Sequence, residues 1–251
     1  MIFKDKHVLI TGATRGIGRA TSLAFANARA KVGLNYKTND TAAKETSKQL
    51  YGIGHTLFKV DLSKPNGPEK LVGDFINVYG SIDILINNAG ISIDHDINNT
   101  NKTDWKRAWL EIMAMNVHAP ANLCFHAAKS MMNTGGGRII NVSSRGAYRG
   151  EPTKPAYGAS KAALNSLTQS LAKALAPHKI YVAGVAPGFT DTEMAAKTLT
   201  PIERDRLLAE SPFKRMAKPE EVAHAILFLA SAGAEYSAGT IIDVNGASYL
   251  R

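Results

Sequence analysis

The chain has 251 residues, of which 45% are hydrophobic and 20% are charged, and its formal net charge is +9. This composition is that of a folded globular protein, and no apolar run reaches the roughly 18 residues of a membrane-spanning helix, so a membrane protein is excluded. The lysines and arginines are scattered singly rather than in blocks, so nucleic-acid binding is not expected.

The first residues lead directly into an apolar strand at His7 and leave no room for a signal peptide, so we expect a cytoplasmic location. The one cysteine, Cys124, excludes an internal disulfide and a cysteine zinc site. Its apolar neighbours indicate a position in the core. The histidines and aspartates show no metal-ligand spacing, so no metal site is expected.

Strands and helices alternate along the chain. Short β-rich runs predict strands over residues 7–11, 31–35, 55–61, 82–87, 137–143, 180–185 and 240–244. Helical periodicity predicts helices over 16–29, 40–50, 68–79, 103–132, 156–176 and 219–231. Several strands are almost continuously apolar, as a sheet covered on both faces requires. We therefore predict an α/β protein: one Rossmann-type domain over residues 1–251, with a doubly wound parallel sheet of seven strands and helices on both faces.

The first predicted strand ends in a glycine-rich turn, Thr11-Gly-Ala-Thr-Arg-Gly-Ile-Gly18, which opens a helix. This setting is typical of a dinucleotide phosphate site. Gly12 would allow the tight turn, Gly16 the close approach of backbone and pyrophosphate, and Gly18 the packing of the helix on the sheet. The spacing is G-x-x-x-G-x-G, which departs from the general G-x-G-x-x-G fingerprint.

A tyrosine and a lysine four residues apart, Tyr157 and Lys161, lie on a predicted helix thirteen residues after Ser144. Residues i and i+4 share a helix face, so the Lys161 ammonium is expected beside the Tyr157 phenol, where it would favour the ionised form. Lowering the pKa of a phenol by roughly three units takes about 4 kcal/mol. The pattern predicts Tyr157 as an acid/base, with Ser144 or the adjacent Ser143 as a donor to the oxygen of a reacting carbonyl.

In this order, these motifs resemble the short-chain dehydrogenase/reductase family from about residue 5 to residue 247, with motif wording closest to its 3-oxoacyl-acyl-carrier-protein reductase branch. The resemblance implies an oxidoreductase acting on CH–OH or C=O groups, with Asn116, Ser144, Tyr157 and Lys161 as catalytic residues. It also implies that Lys161 binds the nicotinamide ribose and that Asn116 holds a water that relays protons. Ser143 is the alternative hydroxyl beside Ser144.

The resemblance further implies which residues bind the dinucleotide. They come from the glycine turn, the ends of the second, third and fourth strands, the helix of Tyr157 and the segment after the sixth strand. These residues are Gly12, Thr14, Arg15, Gly16, Ile17, Gly18, Tyr36, Lys37, Asp61, Leu62, Asn88, Ala89, Gly90, Tyr157, Lys161, Pro187, Gly188, Thr190 and Thr192.

The end of the second strand indicates the choice of cofactor. An acidic side chain there would bind the ribose 2′-hydroxyl and repel a 2′-phosphate, but the sequence is Asn35-Tyr-Lys-Thr38. Lys37 and Arg15 supply cations for a phosphate, so the sequence favours NADP(H) over NAD(H). The alternative is that both side chains simply face solvent.

Two loops are expected to border the substrate, the Asn- and Asp-rich residues 91–103 and residues 190–218. Tyr148 lacks a lysine four positions on and is interpreted as a wall of the substrate pocket. The other candidate substrate residues are Ser144, Arg149, Phe189 and Met194.

A basic protein would suit an acidic acyl carrier protein as partner. However, Gly135 and His178 stand where the resembling branch usually carries docking arginines. The sequence therefore predicts a reductase of an acyl thioester, with a free ketone, sugar or secondary alcohol as the alternative substrate. The alternative function that is not enzymatic is a non-catalytic NADP-binding scaffold. Members of the family are usually tetramers, so a homotetramer is expected.

Overall fold

The computed structural model describes residues 2–192, 205 and 208–251. Within this part of the chain, seven strands form one parallel sheet in the order β3-β2-β1-β4-β5-β6-β7. The strands are β1 His7–Ile10, β2 Lys31–Tyr36, β3 Thr56–Lys59, β4 Ile84–Asn87, β5 Gly137–Val142, β6 Ile180–Pro187 and β7 Ile241–Val244. The predicted doubly wound parallel sheet is confirmed, and each strand boundary lies within two residues of its predicted position.

Helices follow the strands as expected for right-handed crossovers. They are α1 Gly16–Asn27, α2 Asp40–Gln49, α3 Gly67–Tyr79, α4 Lys102–Met113, α5 Ala119–Asn133, α6 Gly146–Arg149, α7 Pro155–Leu175 and α8 Pro219–Ala230. No helix in the described ranges has both the length and the apolar character needed to cross a membrane.

The two faces of the sheet carry separate apolar cores. On β1, Val8 and Ile10 belong to the core under α1 and α8, together with Phe25. The residue between them, Leu9, belongs to the opposite core under α3, α5 and α7, together with Phe75. Successive side chains of a strand point to opposite faces, so the continuous apolar run of β1 fills both cores.

The winding of the sheet reverses beside β1, which pairs with β2 on one side and with β4 on the other. The loops that follow β1 and β4 therefore lead away in opposite directions and open a crevice at the carboxyl ends of the strands. In a doubly wound sheet a ligand binds in this crevice, so the residues of interest are those that follow each strand.

One predicted element is wrong in its middle. The helix predicted as continuous over residues 103–132 is divided by a π-helical segment, Ala114–His118, between α4 and α5. Pro120 has no N–H for the carbonyl of Asn116 four residues earlier, and its ring crowds that carbonyl. Such crowding favours a widened turn, and π turns occur often at functional sites. Asn116 lies in the middle of this segment and is buried.

Candidate active site

The glycine turn after β1 needs its glycines for two physical reasons. Gly12 and Gly16 have φ angles of 59° and 50°, a left-handed conformation that favours glycine. A Cβ atom on Gly18 would lie 2.1 Å from the carbonyl oxygen of Gly12, so only glycine lets α1 start this close to the turn. The side chain of Asn88 donates to the carbonyls of Thr11 and Gly12, at 2.9 and 3.1 Å. The loop after β4 thereby fixes the turn.

The start of α1 fits an anionic ligand. Arg15 at the N-cap is exposed and its side chain makes no capping bond, and the first turn of the helix holds no acidic residue. The first N–H groups of a helix point outward and attract phosphate. A Cβ atom on Gly16 would lie 3.0 Å from Cγ2 of Thr192, so the segment after β6 reaches the turn. Thr14 is buried and Ile17 packs against the core, which together seat the turn on the sheet.

Lys37 and Asp61, which follow β2 and β3, form an ion pair. The Lys37 Nζ atom lies 3.0 Å from Oδ2 of Asp61. Burial raises the pKa of Asp61, but hydrogen bonds from Ser63 and Lys37 outweigh it and hold this pKa below its ordinary value. Tyr36 is the last residue of β2, and Leu62 is buried after β3. From the sequence, Lys37 is expected to be available as a cation for a phosphate. In the structure it is already paired with the Asp61 carboxylate.

The loop after β4 connects the glycine turn with the centre of the site. The hydroxyl oxygen of Thr11 accepts from the backbone N–H groups of Asn88 and Ala89, both at 3.0 Å. A Cβ atom on Gly90 would lie 3.2 Å from Oδ1 of Asn116 and 3.4 Å from Nζ of Lys161. Gly90 therefore leaves the space in which these two side chains approach the crevice.

The side chain of Asn116 is fully engaged by its neighbours. Its Oδ1 atom accepts from the N–H of Ile91 at 2.9 Å, and its Nδ2 atom donates to the carbonyl of Ile91 at 2.9 Å. The same Nδ2 atom donates to the Ser160 hydroxyl at 3.1 Å. The π-helical segment thus joins the loop after β4 to helix α7. The backbone carbonyl of Asn116 lacks its α-helical donor, because residue 120 is proline.

Ser144 and Tyr157 lie within hydrogen-bonding reach of each other across the crevice. The Ser144 Oγ atom also accepts from the N–H of Gly146 at 3.0 Å. Burial raises the pKa of Tyr157, the bond with Ser144 lowers it by less, and Glu151 raises it further. The phenol is therefore in its acid form. The neighbouring Ser143 instead donates to the backbone carbonyl of Lys161 at 3.3 Å, so Ser144 is the hydroxyl that meets Tyr157.

Lys161 lies beside Tyr157 but is bonded elsewhere. Its Nζ atom is 5.8 Å from the centre of the Tyr157 ring and donates to the carbonyl of Val142 at 2.8 Å. Burial lowers the pKa of Lys161 to about 8. The sequence predicts that Lys161 lowers the pKa of the Tyr157 phenol. In the protein without cofactor this pKa is instead raised, because desolvation is the largest influence on Tyr157.

The segment after β6 lies against the loop of Ser144. The N–H of Arg145 donates to the carbonyl of Pro187 at 2.9 Å. A Cβ atom on Gly188 would lie 2.9 Å from Cα of Asn245, so glycine is needed for this crossing. Thr190 pairs with Ala217 in an isolated parallel bridge. These contacts hold Pro187, Gly188 and Thr190 at the carboxyl edge of the sheet.

The candidate substrate residues are more engaged than the sequence indicates. Arg149 Nη1 lies 2.8 Å from Oε2 of Glu210, and its Nε atom lies 3.5 Å from Glu151. The Phe189 ring lies 5.9 Å from the Arg149 guanidinium carbon. The Tyr148 ring packs against the guanidinium group of Arg251 at 4.0 Å. Met194 lies outside the described residues.

Comparisons with known proteins agree with this geometry. A family model described as "Enoyl-(Acyl carrier protein) reductase" matches residues 12–247. The chain belongs to the short-chain dehydrogenase/reductase family. The resemblance stated from the motifs is therefore confirmed, and the protein is an oxidoreductase of a family that binds a nicotinamide cofactor.

Relatives in this family carry several names. A 3alpha-hydroxysteroid dehydrogenase of Mediterraneibacter gnavus is 38% identical over 99% of this chain and 98% of its own length. A 3-oxoacyl-acyl-carrier-protein reductase of Chlamydia trachomatis is 34% identical over 96% of both chains. An uncharacterized oxidoreductase of Thermotoga maritima is 37% identical over 99% of both chains. All three names are those of oxidoreductases, and the two names that include a substrate differ in it.

The short-chain dehydrogenase/reductase site contains two polar residues that the sequence reasoning missed. Ser160 connects Asn116 to α7, and its position three residues after Tyr157 on one helix face was the available signal. His95 is buried in the loop after β4 and bonds to the start of α7. A lone histidine in an Asn- and Asp-rich loop has no spacing that would have indicated this contact.

Among the residues that the structure describes, no group of three or more His, Cys, Asp or Glu side chains is arranged to bind a metal ion. Cys124 is buried under the sheet and accepts a hydrogen bond from Asn87 at 3.2 Å, and burial raises the pKa of its thiol to about 12. This thiol belongs to the core.

Proposed function

We propose that the protein is an NADPH-dependent reductase of carbonyl compounds, with Tyr157 as the proton donor. The observation that supports this reaction is the position of the Tyr157 side chain beside that of Ser144, with Lys161 buried next to it and its Nζ atom 5.8 Å from the centre of the Tyr157 ring. An acid form at neutral pH is what a proton donor in reduction requires. Bound NADPH supplies the hydride to the carbonyl carbon.

Each residue of the site has a separate task in this proposal. Hydride transfer to the carbonyl carbon breaks the C=O π bond and places negative charge on the oxygen. The Ser144 hydroxyl donates to that oxygen, because the N–H of Gly146 already occupies a lone pair of Oγ. Tyr157 transfers its phenolic proton to the oxygen, which completes the alcohol and leaves a phenolate. The Lys161 ammonium stabilises the phenolate by its charge.

Reprotonation of Tyr157 requires a path from solvent. Lys161 is buried and carries an exchangeable proton near neutral pH, because its pKa is lowered to about 8. We assign the resupply of that proton to a water on the backbone carbonyl of Asn116. The Asn116 side chain is already occupied by Ile91 and Ser160, while the carbonyl lacks its α-helical donor.

The choice of NADPH rests on charge. Arg15 is exposed at the start of α1, and Lys37 projects after β2, where no acidic residue stands. A 2′-phosphate would compete with Asp61 for the Lys37 ammonium and accept charge-assisted hydrogen bonds from it. The main support is the absence of the carboxylate that would bind a free 2′-hydroxyl.

For the substrate, we put a 3-oxoacyl thioester first. Relatives named 3-oxoacyl-acyl-carrier-protein reductase align with nearly the whole chain, and the net charge of +9 suits an acidic carrier. The second candidate is a free ketone or secondary alcohol, in line with the relative named 3alpha-hydroxysteroid dehydrogenase. Gly135 and His178, which replace the expected docking arginines, favour this second candidate.

The wider setting is part of the same proposal. We assign the chain one domain, a homotetrameric assembly and a cytoplasmic location. Large exposed apolar side chains on α4 and α5, Leu110 and Phe125, support an association of subunits through these helices. The buried, unpaired Cys124 agrees with a reducing compartment.

The test is consumption of NADPH with acetoacetyl thioesters of carrier protein and of coenzyme A, beside a panel of ketones, diketones, sugars and steroid ketones. Preference for the carrier-bound thioester supports a role in fatty-acid elongation. Turnover restricted to free carbonyls supports the second candidate. Tight NADPH binding without turnover of any carbonyl, in either direction, contradicts the reductase and supports the scaffold alternative.

A further inference from the structure

His95 is a buried titratable side chain that the reaction above does not use. It lies in the loop after β4 with 1% of its surface exposed, and its ring meets the edge of Trp105 with 5.4 Å between centres. Its backbone N–H donates to the carbonyl of Thr153 at 2.8 Å, just before α7. A buried imidazole needs partners for both ring nitrogens, and both have one here.

The two partners define the state of the ring. The Nε2 atom lies 3.1 Å from the backbone nitrogen of Ala156, and the Nδ1 atom lies 2.8 Å from the carbonyl oxygen of Ile93. A backbone N–H can only donate, so Nε2 accepts with its lone pair. A carbonyl can only accept, so Nδ1 carries the hydrogen. His95 is therefore a neutral imidazole held as one tautomer.

The contact with Ala156 completes the first turn of α7. Pro155 has no N–H, and the side chain of Lys154 at the N-cap makes no capping bond. The N–H groups of Tyr157 and Gly158 both donate to the carbonyl of Lys154, at 2.9 and 3.2 Å. The remaining N–H, that of Ala156, donates to His95. His95 thus caps this helix from a different loop, immediately before Tyr157.

The same loop is attached to α7 on the other side of Tyr157. Both backbone polar groups of Ile91 bond to the side chain of Asn116, which donates to the Ser160 hydroxyl. That hydroxyl donates to the carbonyl of Tyr157 at 2.7 Å. Residues 91–95 therefore connect to the backbone directly before Tyr157 and to the carbonyl of Tyr157 itself.

We infer that His95 is a positioning residue for the reaction: its neutral imidazole fixes the start of α7 and so sets the position of the Tyr157 phenol relative to Ser144. This inference rests on the proposed function for its catalytic consequence, while the cap itself can be tested without it. A misplacement of about 1 Å can cost on the order of 100-fold in rate, so a weak local bond can have a large kinetic effect.

Two variants separate the cap from the rest of the side chain. In His95→Gln the amide oxygen reaches the position of Nε2 and accepts from Ala156. In His95→Asn the shorter amide reaches only the position of Nδ1, so it keeps the bond to Ile93 and loses the cap. We expect kcat within about threefold of the parent for Gln and lowered about tenfold or more for Asn, with KM changed less than kcat.

The matched control is Asn39→Ala. Asn39 caps α2 by accepting from the N–H of Ala42 at 3.0 Å, and α2 carries none of the proposed catalytic residues. This variant loses a cap of the same kind, so its melting temperature falls while kcat at saturating NADPH stays unchanged. A fall of kcat in His95→Asn beyond that of Asn39→Ala is therefore an effect on position rather than on stability.

Amide hydrogen exchange over residues 154–161 provides a readout that needs no substrate. We expect faster exchange at the start of α7 in His95→Asn and parent-like exchange in His95→Gln. Faster exchange with unchanged kcat in the Asn variant would overturn the positioning role, and unchanged exchange would overturn the cap. A parent protein that reduces no carbonyl would defeat the proposed function while leaving the exchange result intact.

Discussion

The ammonium group of Lys161 donates a hydrogen bond of 2.8 Å to the backbone carbonyl of Val142, at the end of β5. The side chain is buried, and desolvation lowers its pKa to about 8. At neutral pH the group is still mostly protonated, so the folded protein holds a charge in a place that disfavours it. The charge becomes favourable there when a phenolate forms on the neighbouring Tyr157.

The first prediction concerns Lys161→Met. This variant should be more stable than the parent when both are free of cofactor, and it should show no turnover. A shift of the pKa from 10.5 to about 8 corresponds to about 3 kcal/mol of destabilisation below pH 8. Loss of the bond to Val142 offsets about 1 kcal/mol. We expect the melting temperature at pH 7 to rise by roughly 4–8 °C, measured by calorimetry.

The sign of this effect fixes its pH dependence. The unfolded chain binds more protons than the folded one between pH 8 and 10.5, so the stability of the parent rises with pH in that window. The advantage of Lys161→Met should shrink there. Lys70→Met is the control, because Lys70 is an exposed partner of Asp74. An advantage that stays constant from pH 7 to 10 would contradict the buried charge.

The second prediction concerns Tyr157→Phe, which removes the phenolic proton and keeps the ring. General acid catalysis contributes about 10²–10⁴-fold, so we expect the rate of carbonyl reduction to fall by about 10³-fold. The dissociation constant of NADPH should stay within about twofold, since the ring and Lys161 remain. Stopped-flow turnover and fluorescence titration of NADPH measure the two quantities.

Tyr79→Phe is the matched control for that experiment. The Tyr79 hydroxyl donates to the carbonyl of Gly54 at 2.9 Å, away from the carboxyl ends of the strands. This variant should lose some stability and keep its turnover number. Turnover of Tyr157→Phe within a few fold of the parent would assign the proton to another donor.

The third prediction separates the two cofactors. Replacing Lys37 and Arg15 by Ala removes two cations from the proposed 2′-phosphate site and leaves Asp61 without its partner. Each lost charge-assisted bond is worth about 1.5 kcal/mol or more, so we expect NADPH to bind at least about 100-fold more weakly. Binding of NADH should change little, because it has no 2′-phosphate.

Lys59→Ala is the control for this pair. Lys59 is another exposed lysine of the same sheet edge and pairs with Asp40 at 2.7 Å. It should leave the ratio of NADPH to NADH affinity unchanged. Equal losses for both cofactors in the Lys37 and Arg15 variant would show that these cations do not read the 2′-phosphate.

The parts of the fold that follow from local sequence were predictable. The continuous apolar run of β1 indicates a strand buried on both faces. The glycine-rich turn between strand and helix predicts the positive φ angles of Gly12 and Gly16. The pairing of Tyr157 with Lys161 follows from the period of the helix. Each of these signals is contained in a stretch of about ten consecutive residues or fewer, so it could be recognised without knowledge of the fold.

The parts set by distant contacts were not predictable. Pro120, inside a long helical pattern, was the local signal of the π turn at Asn116. It did not predict that the Asn116 side chain would bond to Ser160 on another helix. The environment of Tyr157 depends on desolvation by several segments, so the direction of its pKa could not follow from Lys161 alone. The partner of Arg149 lies 61 residues further along the chain.

The last prediction uses that partner, Glu210, whose Oε2 atom lies 2.9 Å from Nη2 of Arg145 and 2.8 Å from Nη1 of Arg149. Arg145 is buried, and burial lowers the pKa of its guanidinium group while Glu210 counteracts this. Glu210→Gln leaves the buried Arg145 without its carboxylate, and breaking a buried pair from one side costs about 3 kcal/mol. We expect the melting temperature to fall by roughly 6–12 °C.

The contrast with Glu221→Gln tests whether burial is the reason. Glu221 binds Arg215 through two short hydrogen bonds of 2.7 and 2.6 Å, but both side chains are exposed, at 40% and 48% of their surface. Exposed ion pairs contribute little to stability, so this variant should shift the melting temperature by a few degrees at most. High salt should reduce the shift of the melting temperature in Glu221→Gln. It should leave the shift in Glu210→Gln almost unchanged, because buried charges are screened much less. Equal shifts for the two variants would mean that the Arg145 and Arg149 cluster is stabilised by its packing on Phe189 rather than by the carboxylate.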